Sequence, residues 1–369
     1  MAPGRPSDPF LYAHTTPGIV WMSQNTNHFP PHPAVMAALS AAIADERFHA
    51  YPFAPGLPGL PPAVLEDLGL ASPPWQALLT GGGTEALYII MRALLRPGDV
   101  VLTHDPSYQI IHHFIRTAGA TPTDIPVYEG KLRYDVDTLQ DHITPATKMI
   151  LLIDPINPLG TGYRRDEVRA ICELANDHDL LIVDDITYRD FAFEHTLTSE
   201  FSPERTLITY SFSKSAGLAG MRTGALVAQK ELMDRCRPYN TNDLSINILG
   251  QVAALASLQT KAQWLPQVLA ASRRNQALIK DAVAKVDGAR LPVYPSSANM
   301  FVIDIADTGI GPSALQEALL YEDQVFVRSG SYLSKTFGER FIRTSFSIPT
   351  PGVERFCDAF VRQVQALRR

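Results

Sequence analysis

Ser211-Phe212-Ser213-Lys214-Ser215-Ala216-Gly217-Leu218-Ala219-Gly220-Met221-Arg222 follows an apolar run at 205–210 that reads as a strand. One lysine stands among small and hydroxyl residues, and an arginine follows it eight residues later. Lysine forms Schiff bases with aldehydes, and its ammonium gives up its proton readily when desolvated. Arginine's planar fork of donors suits phosphate oxygens. A small molecule carrying both an aldehyde and a phosphate is pyridoxal phosphate, so the run points to that cofactor. The alternative is a tight turn of small residues whose lysine faces water.

The surrounding pattern supplies a scaffold for a ligand. Short apolar runs predict strands at 76–79, 100–102, 123–126, 149–153, 180–183, 207–210 and 224–227. Amphipathic stretches between them predict helices at 85–95, 108–118 and 165–178. Near-continuous apolar strands alternating with helices indicate a mostly parallel α/β sheet covered on both faces. Ligands bind such sheets beyond the carboxyl ends of the strands, so residues with chemistry to do belong just after strands.

Gly81-Gly82-Gly83-Thr84-Glu85 follows the first strand and opens a helix, where free N–H groups favour a phosphate. Asp105-Pro106-Ser107-Tyr108 follows the second, and Tyr108 there could stack on a flat heterocycle. Asn157, in Asp154-Pro155-Ile156-Asn157-Pro158, follows the 149–153 strand and could donate its amide to a ring hydroxyl. Asp184-Asp185-Ile186-Thr187-Tyr188 ends the most apolar strand, where two carboxylates are costly unless something cationic is bound. A bound pyridine ring needs one of them to hold its nitrogen protonated. Each motif also has a plainer reading: glycine turn, core tyrosine, Asx turn or cap. Their common place at strand ends is what a single shared ligand requires.

In this order the motifs resemble the fold-type I pyridoxal-phosphate enzymes, specifically the class I/II aminotransferases, and within them the histidinol-phosphate branch. The resemblance runs from about Asn25 to the C-terminus. It implies an aspartate aminotransferase-like α/β fold: a mostly parallel seven-stranded sheet in a large domain at 46–258, and a smaller α+β domain at 259–369. The N-terminal arm and helix, 1–45, would join the smaller domain. Lys214 would be the Schiff-base lysine and catalytic base. Gly83, Thr84, Ser211, Ser213 and Arg222 would hold the phosphate, with Tyr108 stacked on the ring. Asn157 and Tyr188 would bond the ring hydroxyl. The Asp-x-x-Tyr spacing selects Asp185 over Asp184 for the pyridine nitrogen. Arg343, in Phe341-Ile342-Arg343-Thr344-Ser345, would clamp the substrate carboxylate, with Asn157 and Asn25 of the N-terminal loop also on the substrate. Tyr51, in His49-Ala50-Tyr51-Pro52, would reach the cofactor phosphate of a second subunit, which implies a homodimer.

Some segments depart from the family. Ile186 stands where a glutamate is usual, the 25–30 loop lacks its glycine, and Leu60-Pro61 replaces an expected Leu-Arg. These departures fall in segments that shape the substrate pocket, so the substrate is expected to differ from histidinol phosphate. Expected chemistry is transfer of an amino group between an L-amino acid and a 2-keto acid. Decarboxylation, elimination or cyclisation on the same scaffold is the competing expectation.

Bulk properties exclude other classes. The composition, 46% apolar and 19% charged with a formal net charge of −6, is that of an ordinary globular protein without a nucleic-acid-type basic block. The proline-rich stretch before residue 75 has no basic face of a DNA-binding helix-turn-helix. Cys172, Cys236 and Cys357 lie far apart, which fits a reducing, cytoplasmic setting and no zinc site. His28 with His32, and His112 with His113, lack metal-ligand spacing on a helix, and no run is long enough for a membrane span.

Overall fold

The computed structural model describes residues 8–368; the first seven residues of the expected arm, and Arg369, lie outside them. In chain order the strands are β1 (Val20–Trp21), β2 (Trp75–Thr80), β3 (Val100–Asp105), β4 (Thr121–Pro126), β5 (Thr147–Ile153), β6 (Leu181–Asp185), β7 (Thr206–Ser211), β8 (Gly224–Gln229), β9 (Met300–Asp304), β10 (Val325–Phe326), β11 (Arg328–Ser329) and β12 (Phe341–Ser345). Seven of them form one sheet in the order β2-β8-β7-β6-β5-β3-β4. Only β8 runs antiparallel to its neighbours; the other pairings are parallel.

The period of two along β5 and β6 sends alternate residues to opposite faces. Leu151, Ile153 and Val183 pack with Leu87 and Ile90 of the helix Gly83–Leu94. Ile150, Leu152 and Ile182 pack with Val168 and Ile171 of the helix Arg165–Asp177. Asp185 therefore follows Val183 onto the first face, whereas Asp184 follows Ile182 onto the second. The carboxyl ends of β5, β6 and β7 and the start of β8 lie on one edge, with Ser211 paired to Gly224.

A second, antiparallel sheet has the order β11-β12-β9, and β1 pairs in parallel with β10. The helices Lys261–Val283, Pro312–Asp323 and Thr350–Leu367 bury Ile279, Leu319 and Phe360 with Phe301, Ile303 and Ile342 of this sheet. The serial ends of the chain thus share a core, with Ser345 N–H donating to Met22 O at 2.9 Å.

Three local expectations are corrected. The apolar run at 325–327 also predicts a strand; it holds only the two-residue β10, and β11 follows it at Arg328–Ser329 and pairs in a different sheet. The proline-rich arm holds not one α-helix but three: Pro9–Thr15, Pro33–Ala44 and Leu60–Asp67. In each, proline occupies the first turn, where its missing N–H has no intrahelical acceptor to lose. The third correction is to β3, which extends to Asp105 and so carries that carboxylate inside the strand.

Candidate active site

At the shared strand edge lies a cavity of about 510 Å³, within the range of small-molecule sites. Its walls include Gly83 and Thr84 from the loop after β2, Tyr108 after β3, Asn157 after β5, and Asp185 and Tyr188 at the end of β6. Ser211, Ser213, Lys214 and Arg222 come from the segment between β7 and β8, Arg343 from β12 and Asn25 from the segment after β1. The structure therefore gathers every residue singled out from the sequence except Tyr51. That side chain lies outside its own chain's cavity and is 84% exposed.

Lys214 Nζ donates to the Gln24 carbonyl at 3.0 Å and stands 5.8 Å from the centre of the Tyr188 ring. Burial, then the charges of Arg343 and Arg222, push its pKa down to about 7, with Asp185 opposing. An ordinary lysine is protonated at neutral pH; this one is close to evenly divided between ammonium and amine.

Asp185 Oδ1 accepts from Thr187 N at 3.1 Å and Thr187 Oγ1 at 2.5 Å. Burial raises its pKa, against those bonds and the Lys214 charge. Asp184 faces away, its Oδ2 taken by Thr198 N and Thr198 Oγ1, both at 2.9 Å. The two carboxylates differ by one strand position, and the alternation of faces separates them.

The glycine loop is shaped for close approach. Arg222 Nη2 donates to Gly81 O at 3.1 Å, and a Cβ at Gly82 would lie 2.8 Å from that nitrogen. Gly82 has φ of +98°, a conformation strained for any side chain, and a Cβ there would also push the Arg222 guanidinium aside. The first N–H groups of the helix Gly83–Leu94 have no intrahelical acceptor and are available to an anion. Thr84 Oγ1 and Tyr108 Oη share a hydrogen bond at 3.3 Å.

Arg343 is a buried guanidinium. Its Nη1 donates to Asn157 Oδ1 at 3.0 Å and its Nη2 to the Ser23 carbonyl, while Nε has no partner. It forms no ion pair among the described residues, and burial above all lowers its pKa to about 10. A buried cation with an idle donor and no carboxylate is costly unless a ligand supplies the anion. Tyr188 Oη accepts from Asn25 Nδ2 at 3.2 Å, and Asn25 O in turn accepts from Asn299 Nδ2 at 2.9 Å.

Sequence reasoning missed Phe10, Thr187, Arg328 and Tyr332, all of which line the cavity. Arg328 lies 3.7 Å from the Tyr332 ring centre and 4.7 Å from that of Phe10. Its place directly after the foreseen 325–327 strand is a signal the strand-end rule could have used. Phe10 had no such signal, being brought in by a contact with Phe326 at 4.9 Å between ring centres. His28 and His32 are engaged elsewhere, His28 Nε2 with Thr26 Oγ1 at 2.6 Å and His32 Nδ1 as a cap for Ala34 N–H. No helix among the described residues is long and apolar enough to cross a membrane.

Comparison with known proteins agrees with the geometry. The profile of the family described as aminotransferase class I and II matches residues 17–360. A histidinol-phosphate aminotransferase of Staphylococcus saprophyticus is 30% identical over 81% of this chain and 81% of its own. An aspartate aminotransferase of Pyrococcus abyssi is 26% identical over 85% of this chain and 82% of its own. An aminotransferase from Mycobacterium tuberculosis superposes with a TM-score of 0.86 at 22% identity, over 97% of this chain and 96% of that one, which shows the shared fold. The chain is an enzyme of the aminotransferase class I and II family.

Proposed function

We propose that this enzyme uses pyridoxal phosphate to move an amino group between an L-amino acid and a 2-keto acid. The observation that carries the reading is a lysine amine with its pKa pushed down to about 7, in one cavity with a buried carboxylate and an unpaired buried guanidinium. The residues present fit the cofactor: the positive φ of Gly82 favours glycine beside the Arg222 guanidinium, and the following helix start offers free N–H groups. When bound, pyridoxal phosphate supplies an aldehyde for the amine and a protonated ring that accepts electrons from the substrate Cα.

Each role then belongs to a residue of this chain. Gly83 and Thr84 N–H, Ser211, Ser213 and Arg222 hold the phosphate. Asp185 keeps a proton on the ring nitrogen, with Thr187 fixing its carboxylate from the other side. Asn157 and Tyr188 bond the ring hydroxyl, and Tyr108 covers the ring. Arg343 grips the substrate carboxylate bidentately. Lys214 Nζ, as neutral amine, would take the proton from the substrate Cα and, as ammonium, deliver it to the former aldehyde carbon of the cofactor, where the amino group is left.

Arg328 indicates the substrate class. It shares the cavity with Arg343, forms no ion pair among the described residues, and its charge lowers the Arg343 pKa further. Arg343 is assigned to the substrate's own carboxylate, and Arg328, held by Tyr332 and by the Phe10 ring, presents a second cation in the same cavity, which favours an amino acid with an anionic side chain. Arg328→Leu is expected to raise KM for such a donor about ten- to a hundredfold, the worth of a charged hydrogen bond, with kcat little changed. Steady-state kinetics with an anionic and a neutral donor checks this, and an equal effect on both contradicts it.

We also propose the domain division 1–45, 46–258 and 259–369; the two separate sheets support it, while the helix Pro33–Ala44 packs against the helix Ile248–Gln259 of the larger domain and so does not join the smaller one. A cytoplasmic homodimer is supported by three free cysteines and by Tyr51. Met36, Ile43, Phe48 and Phe53 are exposed on the same stretch of chain as Tyr51, and an apolar surface of that kind marks a contact site. The reaction is tested by supplying pyridoxal phosphate, a panel of L-amino acids and one 2-keto acid, then following products by mass. Keto acid and new amino acid in equal amounts are expected. Release of carbon dioxide or ammonia without keto acid would overturn the reading.

A further inference from the structure

Behind the Lys214 turn, charged side chains from three segments form one closed network. Asp67 ends the helix Leu60–Asp67, Arg189 and Asp190 follow Tyr188, and Lys261 opens the helix Lys261–Val283. Lys261 Nζ donates to Asp67 Oδ1 at 2.9 Å, to Asp67 Oδ2 at 3.0 Å and to Asp190 Oδ1 at 2.7 Å. Arg189 Nη2 also donates to Asp67, and the Tyr210 hydroxyl donates to Asp67 Oδ2 at 2.7 Å. None of the four charged side chains is more than 16% exposed. Buried ion pairs contribute little net stability, because desolvation offsets their attraction. What this one does have is an outlet: Asp190 Oδ2 accepts the hydroxyl of Ser215, the residue next to Lys214.

Ser215 is pinned from two sides, since its carbonyl accepts from Asn27 Nδ2 at 2.7 Å. Gly217 N–H closes the turn on Lys214 O at 3.2 Å. Among the described residues the lysine amine has a single hydrogen-bond partner, Gln24 O. A four-carbon stem tied at one point keeps much rotamer freedom, so the place of Nζ depends on where its backbone is held. Asp190 also lies two residues beyond Tyr188, the ring beside Nζ.

We propose that Asp190 is a positioning residue for Lys214, acting through Ser215 Oγ to hold Nζ in its desolvated place among Arg343, Arg222, Asp185 and Tyr188. This rests on Lys214 being the reactive amine. Burial pushes the Asp190 carboxyl up, but Lys261 and Arg189 outweigh it and hold the group below the usual range. The acceptor facing Ser215 is therefore a carboxylate at neutral pH.

The test labels the full-length chain, freed of bound aldehyde with hydroxylamine, using acetic anhydride at a series of pH values. Acetylation of Lys214 is read by peptide mass spectrometry. Acetic anhydride reacts with the neutral amine, so the wild-type midpoint should lie near about 7. In Ser215→Ala the midpoint moves up towards the ordinary lysine value, and labelling at neutral pH falls about tenfold for each unit. Asp190→Asn moves it the same way, and the double variant moves it no further than the larger single shift, because both break one path.

An unmoved midpoint in Ser215→Ala overturns the proposal even if the melting temperature falls, since that is a structural effect alone. Additive shifts in the double variant overturn it too. Should Asp190→Asn fail to fold, Ser215→Ala, which removes one hydroxyl, decides alone. A wild-type midpoint at the ordinary lysine value would instead sink the assignment of Lys214 as the reactive amine, so the two failures are distinguishable.

Discussion

Lys214→Ala is expected to lose turnover by a factor of at least about 10³ while remaining folded. A positioned general base contributes about 10²–10⁴ by itself, and here the same nitrogen is also assigned the covalent attachment of the cofactor. The fold should tolerate the change. Among the described residues Lys214 has only the Gln24 carbonyl as hydrogen-bond partner, and its charge sits beside Arg343 and Arg222, so removing it relieves repulsion. Thermal unfolding of the variant should match or exceed wild type. Turnover that survives the substitution would move the base to another group, and Tyr188 is the neighbour to examine next.

The pH dependence has a definite sign. The Lys214 pKa is lowered in the folded state to about 7, so the base-competent amine is lost as pH falls through that value and is fully present well above it. The ordinary unfolded lysine remains protonated up to about pH 10.4. Folding therefore expels a proton from this group between the two values; the cost in stability is full below about 7 and is relieved progressively as pH rises towards the unfolded value.

Arg343→Gln is the second large effect. Removing one member of a buried, hydrogen-bonded charge pair costs about 2–5 kcal/mol, which corresponds to a loss in kcat/KM of roughly 30- to 5,000-fold. Glutamine keeps a polar head that can still meet Asn157 Oδ1, which separates loss of the cation from loss of packing. The charge matters because nothing in the chain pairs with it among the described residues, and its Nε is idle. Arg343→Lys should recover little of the activity, since an ammonium offers a point charge in place of a planar fork. Unchanged kcat/KM in Arg343→Gln would place the substrate carboxylate elsewhere, with Arg328 the guanidinium in the cavity not already assigned to the phosphate as Arg222 is.

The strand-end residues were legible because local sequence sets them. Apolar runs place β5, β6 and β7, parallel pairing brings their carboxyl ends to one edge, and the chemistry follows directly. The choice of Asp185 over Asp184 comes from the Asp-x-x-Tyr spacing of the resembled family, and the alternation of faces along β6 is what separates the two side chains. What stayed hidden depends on distant contacts. Phe10 reaches the cavity because it packs on Phe326, and the Arg328 side chain is aimed by a two-residue strand paired to β12. Asp67, Asp190, Ser215 and Lys261 are far apart in the chain, so no spacing announces their network. The proline runs looked like breakers, yet they start helices, because position within the first turn and not proline content decides.

The most direct test of the central claim is chemical. The protein is incubated with pyridoxal phosphate, reduced with borohydride and digested, and the modified peptide is located by mass. The account predicts the reduced cofactor on Lys214 and on no other lysine. Attachment at a different lysine, or none at all, would contradict it.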